Sequence, residues 1–411
     1  MFQKKRWLAA ALALVMTFAA AGCGGGNDAA ASSGAAESTG GAASAPVDAA
    51  PTGWEEASGI LITDETEAEL YEAAKKEGKV VLYSISSRCT KVADAFNAKY
   101  PGVVCEPFDI SQNELIEKVT REYDAGQHVA DVIHCKDLDG SLYNEYVSAG
   151  TFYTYLPDDI EAVMDPTYTE TQTPLYIELT QLFYNTEAHP EGSPITNIWQ
   201  LTEEQWKGRI VMQNPLDDTS WGSWITGFCV GETPDKLAAA YKELYGEEIT
   251  LSDGCENAGY EFLKRLHDNE PVFTSSSDEV AESVGTAGQA NPPVGFCSSS
   301  KIRKNADNGW VLGAVNLYPT TGIPAINSLY IVEGSEHSAA AKLLVRFMLG
   351  GDGSDTSGYA PFNTLGGWPV RNDITLAEGS TPFAEMHVSA FDSQLIYDNF
   401  NVVRDFWTLL G

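Results

Sequence analysis

Lys79-Val80-Val81-Leu82-Tyr83-Ser84-Ile85-Ser86-Ser87-Arg88 decides how this chain is read. Four consecutive large side chains, Val80 to Tyr83, predict a strand buried on both faces. Ser84 to Arg88 then form a hydroxyl-rich loop ending in a guanidinium. Beyond it, Thr90 to Tyr100 places Val92, Ala95 and Phe96 on one helical face, and Pro101-Gly102 stops the helix. Val103 to Phe108 reads as a second strand. Upstream, Asp64-x-x-Glu67 has the spacing of a capping box. The helix it opens runs through Leu70, Tyr71 and Ala74 and ends in Lys75, Lys76 and Gly78. Downstream, Glu114 to Tyr123 predicts a third helix and Ala130 to His134 a third strand. Strands separated by helices imply parallel βαβ units.

A second α/β run starts near Leu175. Ile177 to Tyr184 reads as one strand, and Trp206 to Met212 leads into another. Helices are predicted over Ser220–Phe228, Pro234–Tyr245, Glu256–Leu266 and Ser277–Ala287, and a strand at Val294–Cys297. Gly322 to Val332 reads as a strand followed by the helix Ser338 to Leu349, with Ala341, Leu344, Val345 and Met348 on its apolar face. Phe391 to Leu410 is a last amphipathic stretch.

The first fifty residues are of another kind. Lys4, Lys5 and Arg6 precede an apolar run from Trp7 to Ala21, then Gly22 and Cys23. A basic tip, a short apolar run and small residues make an export signal, and the run is short for a membrane span. Gly24 to about Pro51 is almost all Gly, Ala, Ser, Asp and Pro, with Val47 its one large apolar residue. Such a segment cannot bury a core and predicts a flexible leash of roughly 30 Å. The chain has 411 residues, so about 360 remain for a bilobed fold. Its formal charge is −33, and loss of the three signal cations leaves −36. A surface so acidic repels phosphate backbones and argues against nucleic-acid binding. A small anion is still acceptable where local donors outvote distant charges. Cys89, Cys105, Cys135, Cys229, Cys255 and Cys297 follow Cys23. Disulfides and free thiols both fit them, and without a C-x-x-C pair a structural zinc site is not expected.

Ala20-Ala21-Gly22-Cys23 resembles the lipobox of bacterial lipoproteins, with Ala20 in place of the usual leucine. That resemblance implies cleavage before Cys23 and a lipid anchor on it. The folded part resembles the extracellular solute-binding proteins of ABC importers, in particular their ferric-iron-like branch. The matching stretches are K-V-V-L-Y-S at 79–84, Ala95-Phe96 with Tyr100-Pro101-Gly102-Val103, Ala130-Asp131-Val132, and Leu182-Phe183-Tyr184-Asn185-Thr186. They continue with Trp206-Lys207-Gly208-Arg209-Ile210, the most specific, and Ala339 to Leu344 with Phe347-Met348-Leu349. The resemblance implies an α/β, two-lobed periplasmic-binding-protein fold of type II, with hinge strands and a ligand cleft between the lobes. The expected division is a signal over 1–22 and a lipidated, flexible linker over 23–54. Residues 55–176 plus 316–375 then form one lobe, 177–315 the other, and 376–411 a C-terminal helical segment.

Such folds bind ligand at strand carboxyl ends and helix amino termini. The candidate ligand residues are therefore Ser84, Ser86, Ser87 and Arg88 after the first strand and Asp137 after the third. Thr219, Ser220 and Trp221 at a helix start, Ser298 and Ser299 in the serine run, and Thr321 at the return crossing complete the set. Simple helix capping by Ser87 and an ordinary core tryptophan are the structural alternatives. Iron-binding members of the family place two adjacent tyrosines near the 297–301 loop, and hard ferric iron wants such oxygen anions. This chain has Cys297-Ser298-Ser299-Ser300-Lys301 there and no Tyr-Tyr pair. Serines suit a polar organic ligand, so ferric iron is the second choice. His128 and His134 lack metal-site spacing, and Cys135 must face away from His134 on a strand. No G-x-S-x-G or Walker loop is present, so no catalytic residue, cofactor or metal is expected. The expected function is capture of a small polar solute, anionic or phosphorylated ones included, for delivery to ABC permease subunits with a cytoplasmic ATPase. The protein would be a monomer on the outer membrane face, held by Cys23. A sensor-associated binding protein is the alternative outside transport.

Overall fold

The computed structural model describes Trp54–Glu55, Ile60–Leu61 and residues 65–411. The signal, Cys23 and the linker lie outside the described residues. The first helix is Glu67–Glu77, and its capping box is Thr66 with Glu69 rather than Asp64 with Glu67. Gly78, in the left-handed region, ends it as expected.

Among the described residues, nine strands build one sheet. Lys79–Ser84 lies between Val104–Asp109 and Val132–Lys136, parallel to both. Ala325–Val332 runs antiparallel beside Val132–Lys136 and also pairs with Phe152–Tyr155 and Thr173–Glu178. The continuous apolar run in Lys79–Ser84 has a direct cause. Val80 and Leu82 face a core with Phe96, Leu344 and Phe347, while Val81 and Tyr83 face another with Leu115, Val119 and Tyr330. Alternating side chains thus feed two cores, so all four positions from Val80 to Tyr83 are apolar or aromatic. The helix Ser338–Met348 is buried so fully that its Lys342 and Arg346 reach out to Glu65 and Asp159 as ion pairs.

Five strands form a second sheet, in the order Val272–Thr274, Ile210–Gln213, Val294–Ser298, Thr180–Asn185 and Leu312–Val315. Its core gathers Trp199, Trp224, Phe228 and Phe262. The C-terminal helix Ser393–Leu410 docks on this lobe, inserting Val403 and Trp407 into that core.

The stretch Ile177 to Tyr184, predicted as one strand, is two. Thr173–Glu178 ends in the first sheet and Thr180–Asn185 begins in the second, with Leu179 between them. Ser299 clamps this crossing. Its hydroxyl accepts from Leu179 N–H at 3.0 Å, and its own N–H donates to the Leu179 carbonyl at 2.8 Å. The chain returns to the first sheet between Val315 and Ala325, so the predicted strand from Gly322 begins three residues late.

Candidate ligand-binding cleft

The carboxyl ends of the first-sheet strands face the second lobe across a cleft of about 460 Å³. The loop after Lys79–Ser84 forms one wall, and each of its residues organises the next. Ser84 Oγ accepts from Ser86 N–H at 3.1 Å, and Ser86 Oγ accepts from Arg88 Nε at 2.8 Å. Arg88 precedes the helix Cys89–Lys99, and no side chain caps that helix. Ser87 is therefore not a capping residue but an exposed one on the cleft lip. Arg88 is 7% exposed, and its guanidinium lies against the Tyr176 and Phe362 rings. Its Nη2 donates to Tyr176 Oη at 2.5 Å and to Glu178 Oε1 at 3.0 Å, while its buried Nη1 has no partner.

Glu178 is the last residue before the crossing. Lys136 Nζ sits 3.3 Å from its Oε2, and Ser298 Oγ donates to the same oxygen at 3.0 Å. Burial opposes its charge. Lys136 and Arg88, helped by the Ser300 and Ser298 hydroxyls, outweigh that and hold the carboxyl far below the usual range. Opposite, Asp278 pairs with Lys301 Nζ at 3.0 Å and Lys304 Nζ at 2.7 Å. Burial lowers the basicity of both Lys301 and Arg303. The lining holds five cations, Arg88, Lys136, Lys301, Arg303 and Lys304, against Asp109, Glu178 and Asp278. An adjoining recess of about 170 Å³ shares Lys136, Ser277 and Ser298 with the cleft, and Gln213, Asp218, Ser220 and Trp221 extend it into the second lobe. Asp218 caps the helix Thr219–Cys229 through Ser220 N–H at 2.8 Å, which fixes Trp221 between the recess and the lobe core.

Of the residues singled out from sequence, Ser86, Ser87, Arg88, Ser220, Trp221 and Ser298 border these two connected spaces. The other five do not. Ser84 is buried behind the loop, bonded to His134 Nδ1 at 2.8 Å. His134 itself is held neutral, its pKa lowered to about 3 by burial and then by Arg88. Asp137 turns away and receives Leu142 and Tyr143 N–H at 3.1 and 3.0 Å. Thr219 lines a separate groove beside the C-terminal helix. Ser299 serves the crossing, and its Oγ also donates to the Gly366 carbonyl at 2.5 Å. Thr321 is buried and accepts from Trp224 Nε1 through its carbonyl at 3.0 Å. Cys135 packs in the core on the sheet face away from His134, as strand alternation requires. All six described cysteines are free thiols. Tyr318 lies on the lobe surface and donates to Glu243 at 3.0 Å.

At the end of the third strand the sequence reading took Asp137 where the cleft takes its neighbour Lys136, and it passed over Tyr176, Glu178, Asp278 and the cations Lys301, Arg303 and Lys304. The signal available was a run of three cations in four residues, Lys301 to Lys304, directly after the serine loop. Gln112 was missed as well. It clasps Lys136 by its backbone, donating to the carbonyl at 2.9 Å and accepting from the N–H at 3.1 Å.

Asp137 makes a pH-dependent contribution. Burial and then Asp139 push its pKa up to about 7, against the opposing backbone N–H groups. An acid with a raised folded pKa stabilises the fold least when ionised. Between the ordinary carboxylate range and about 7 the unfolded chain ionises first, so stability drains away as pH rises through that window. Relative to the parent, Asp137→Asn is expected to be more stable at pH 8 than at pH 5 by at least about 1 kcal/mol, read from urea unfolding at both pH values. A stability difference independent of pH would refute this.

No family model matches the chain, and no curated protein is similar by sequence. Solved structures are similar in fold. Iron-bound HitA from Pseudomonas aeruginosa superposes with a TM-score of 0.61 at 15% identity, over 81% of this chain and 99% of that one. The periplasmic binding protein AfuA from Actinobacillus pleuropneumoniae, with fructose-6-phosphate bound, gives 0.61 at 18% identity, over 81% and 98%. The substrate-binding protein of an ABC transporter from Agrobacterium tumefaciens gives 0.60 at 13%, over 81% and 94%. The chain thus has the two-lobed α/β fold of the periplasmic substrate-binding proteins, ferric-iron-like members included.

Proposed function

We propose that this protein is the extracytoplasmic solute-binding component of an ABC importer and captures a small anionic solute. The observation that carries this reading is a cleft with five cations against three carboxylates, in a chain whose formal charge is −33. Cations converge there against the trend of the whole surface, which focuses an anion into the cleft. The unpartnered Nη1 of Arg88 is a buried donor awaiting an acceptor. Ligand bridging the Arg88 loop and the Ser220–Trp221 helix start would favour the closed arrangement by its differential affinity, with Leu179 and residues 316–324 as the hinge. A permease with its cytoplasmic ATPase would then read the closed surface. Cys23 would tether the protein, as a monomer, to the outer face of the membrane. No step forms or breaks a covalent bond.

Ferric iron fits the lining less well. Tyr176 is its tyrosine, and burial holds that phenol well above its ordinary pKa. A protonated phenol accepting from Arg88 does not offer the phenolate that Fe(III) wants. The test is thermal unfolding of residues 24–411 against ferric iron with citrate or carbonate, phosphorylated sugars, phosphonates, neutral sugars, amino acids and polyamines. A ligand at a hundred times its dissociation constant adds about 2.7 kcal/mol, an easily measured shift. Stabilisation by an anionic organic compound supports the reading. Stabilisation by iron alone replaces the anion by the metal, and no stabilisation by any member defeats solute capture.

A further inference from the structure

The charges of the cleft are arranged in a pattern that solute capture alone does not require. Each of two carboxylates is shared by two cations. Glu178 stands between Arg88 and Lys136, and Asp278 between Lys301 and Lys304. Each group of three therefore keeps one positive charge. Arg303 and Asp109 also line the cleft and cancel in its formal charge. The cleft itself carries a net charge of plus two, set by its own acids, with Asp218 outside it in the adjoining recess. Glu178 is the most deeply placed of these, its side chain 5% exposed, and it sits on the residue before the crossing.

Resting on the anion-capture reading above, we propose that the cleft selects a dianion over a monoanion, and that Glu178, as a built-in counter-ion, holds the cleft charge at the plus two that a dianion neutralises. When the lobes close, water leaves and unbalanced charge becomes expensive. A dianion, such as a phosphate monoester after its second ionisation, leaves the closed cleft neutral. A monoanion leaves one desolvated positive charge. Glu178 and Asp278 also hold the cations in place before ligand arrives, so the donors are preorganised and do not repel one another. With Glu178 taking Nη2 of Arg88, Nη1 is the guanidinium nitrogen left for the ligand. Glu178 acts through the cations it holds and is thus a specificity-determining positioning residue.

The test compares tetrahedral anions on the intact mature protein by titration calorimetry at about pH 8: inorganic phosphate and sulfate as dianions, methanesulfonate as the monoanion. The dianions are expected to bind at least about tenfold more tightly. Glu178→Gln raises the cleft charge by one, so all three anions should gain affinity, the dianions more than methanesulfonate, and the dianion advantage should widen severalfold. A structural role alone would weaken all three together. Because Glu178→Gln strips a buried arginine of its partner, Asp278→Asn serves as the second variant. The Asp278 side chain is half exposed, so the fold tolerates its loss, and the same change in ratio is expected. Equal affinity for dianion and monoanion, no binding of any of the three at their highest soluble concentrations, or a ratio unmoved in both variants overturns the proposal. A neutral sugar or amino acid as the hit in the unfolding panel overturns it too, while leaving solute capture standing. Capture itself fails only if nothing in that panel binds.

Discussion

Arg88→Met is expected to remove anion binding by at least about 100-fold and to destabilise the ligand-free fold by about 3 kcal/mol. Both effects follow from one geometry. The guanidinium is buried between two rings and held by Ser86, Tyr176 and Glu178, with one nitrogen left over. Deleting it removes the donor the ligand is to meet. It also leaves Glu178 in the interior with Lys136 at 3.3 Å as its remaining cation. Lysine is no substitute, because a single ammonium cannot hold Glu178 and offer a second, oriented N–H group to a ligand. Titration calorimetry with the best ligand of the unfolding panel measures the first effect and urea unfolding the second. Ser86→Ala separates them. It loosens Arg88 Nε without burying an unpaired charge, so binding should weaken about tenfold with under about 1.5 kcal/mol lost in stability. Arg88→Met that binds normally would remove the anion site from this cleft.

How far the sequence reached can be stated residue by residue. Val80 to Tyr83 was legible because two cores feed on one strand, which leaves an unbroken apolar run. The crossing at Leu179 was not. Its apolar pattern continues through both sheets, and what divides them is a distant partner, Ser299, paired with Leu179 through backbone and hydroxyl. The serine loop was found, but not which serine looks where. Ser298 reaches Glu178 in the cleft, while Ser299 turns back to Leu179 and Gly366. The same alternation turned Lys136 into the cleft and Asp137 away from it. At the helix start, one residue of helical rotation separates Thr219, in its own groove, from Ser220 in the recess. Lysines and arginines on a single sequence read as solvated surface. Their convergence from residues 88, 136 and 301–304 is a property of the folded chain alone.

Gly366→Ala is expected to be the most damaging small substitution in the hinge region, with more than about 4 kcal/mol lost or no folding at all. Gly366 has a φ of +77°, and a Cβ on it would stand 2.0 Å from the Ser299 carbonyl oxygen and 2.3 Å from its carbon. The obstacle is backbone, so no rotamer relieves it. The obstructed residue is also the clamp of the crossing, since Ser299 holds Leu179 on one side and the Gly366 carbonyl on the other. The 366 loop can accept a methyl group only by leaving Ser299, which frees the strand exchange at Leu179. Gly246→Ala is the control. Gly246 has nearly the same φ, +78°, and open space around the added carbon. Its cost is the left-handed conformation alone, about 1–2 kcal/mol. Urea unfolding of the two variants separates close contact from backbone strain. Should Gly366→Ala lose no more than Gly246→Ala, Ser299 is not a rigid brace. The hinge would then be softer at Leu179 than its hydrogen bonds imply, and closure would need a pivot at residues 316–324 instead.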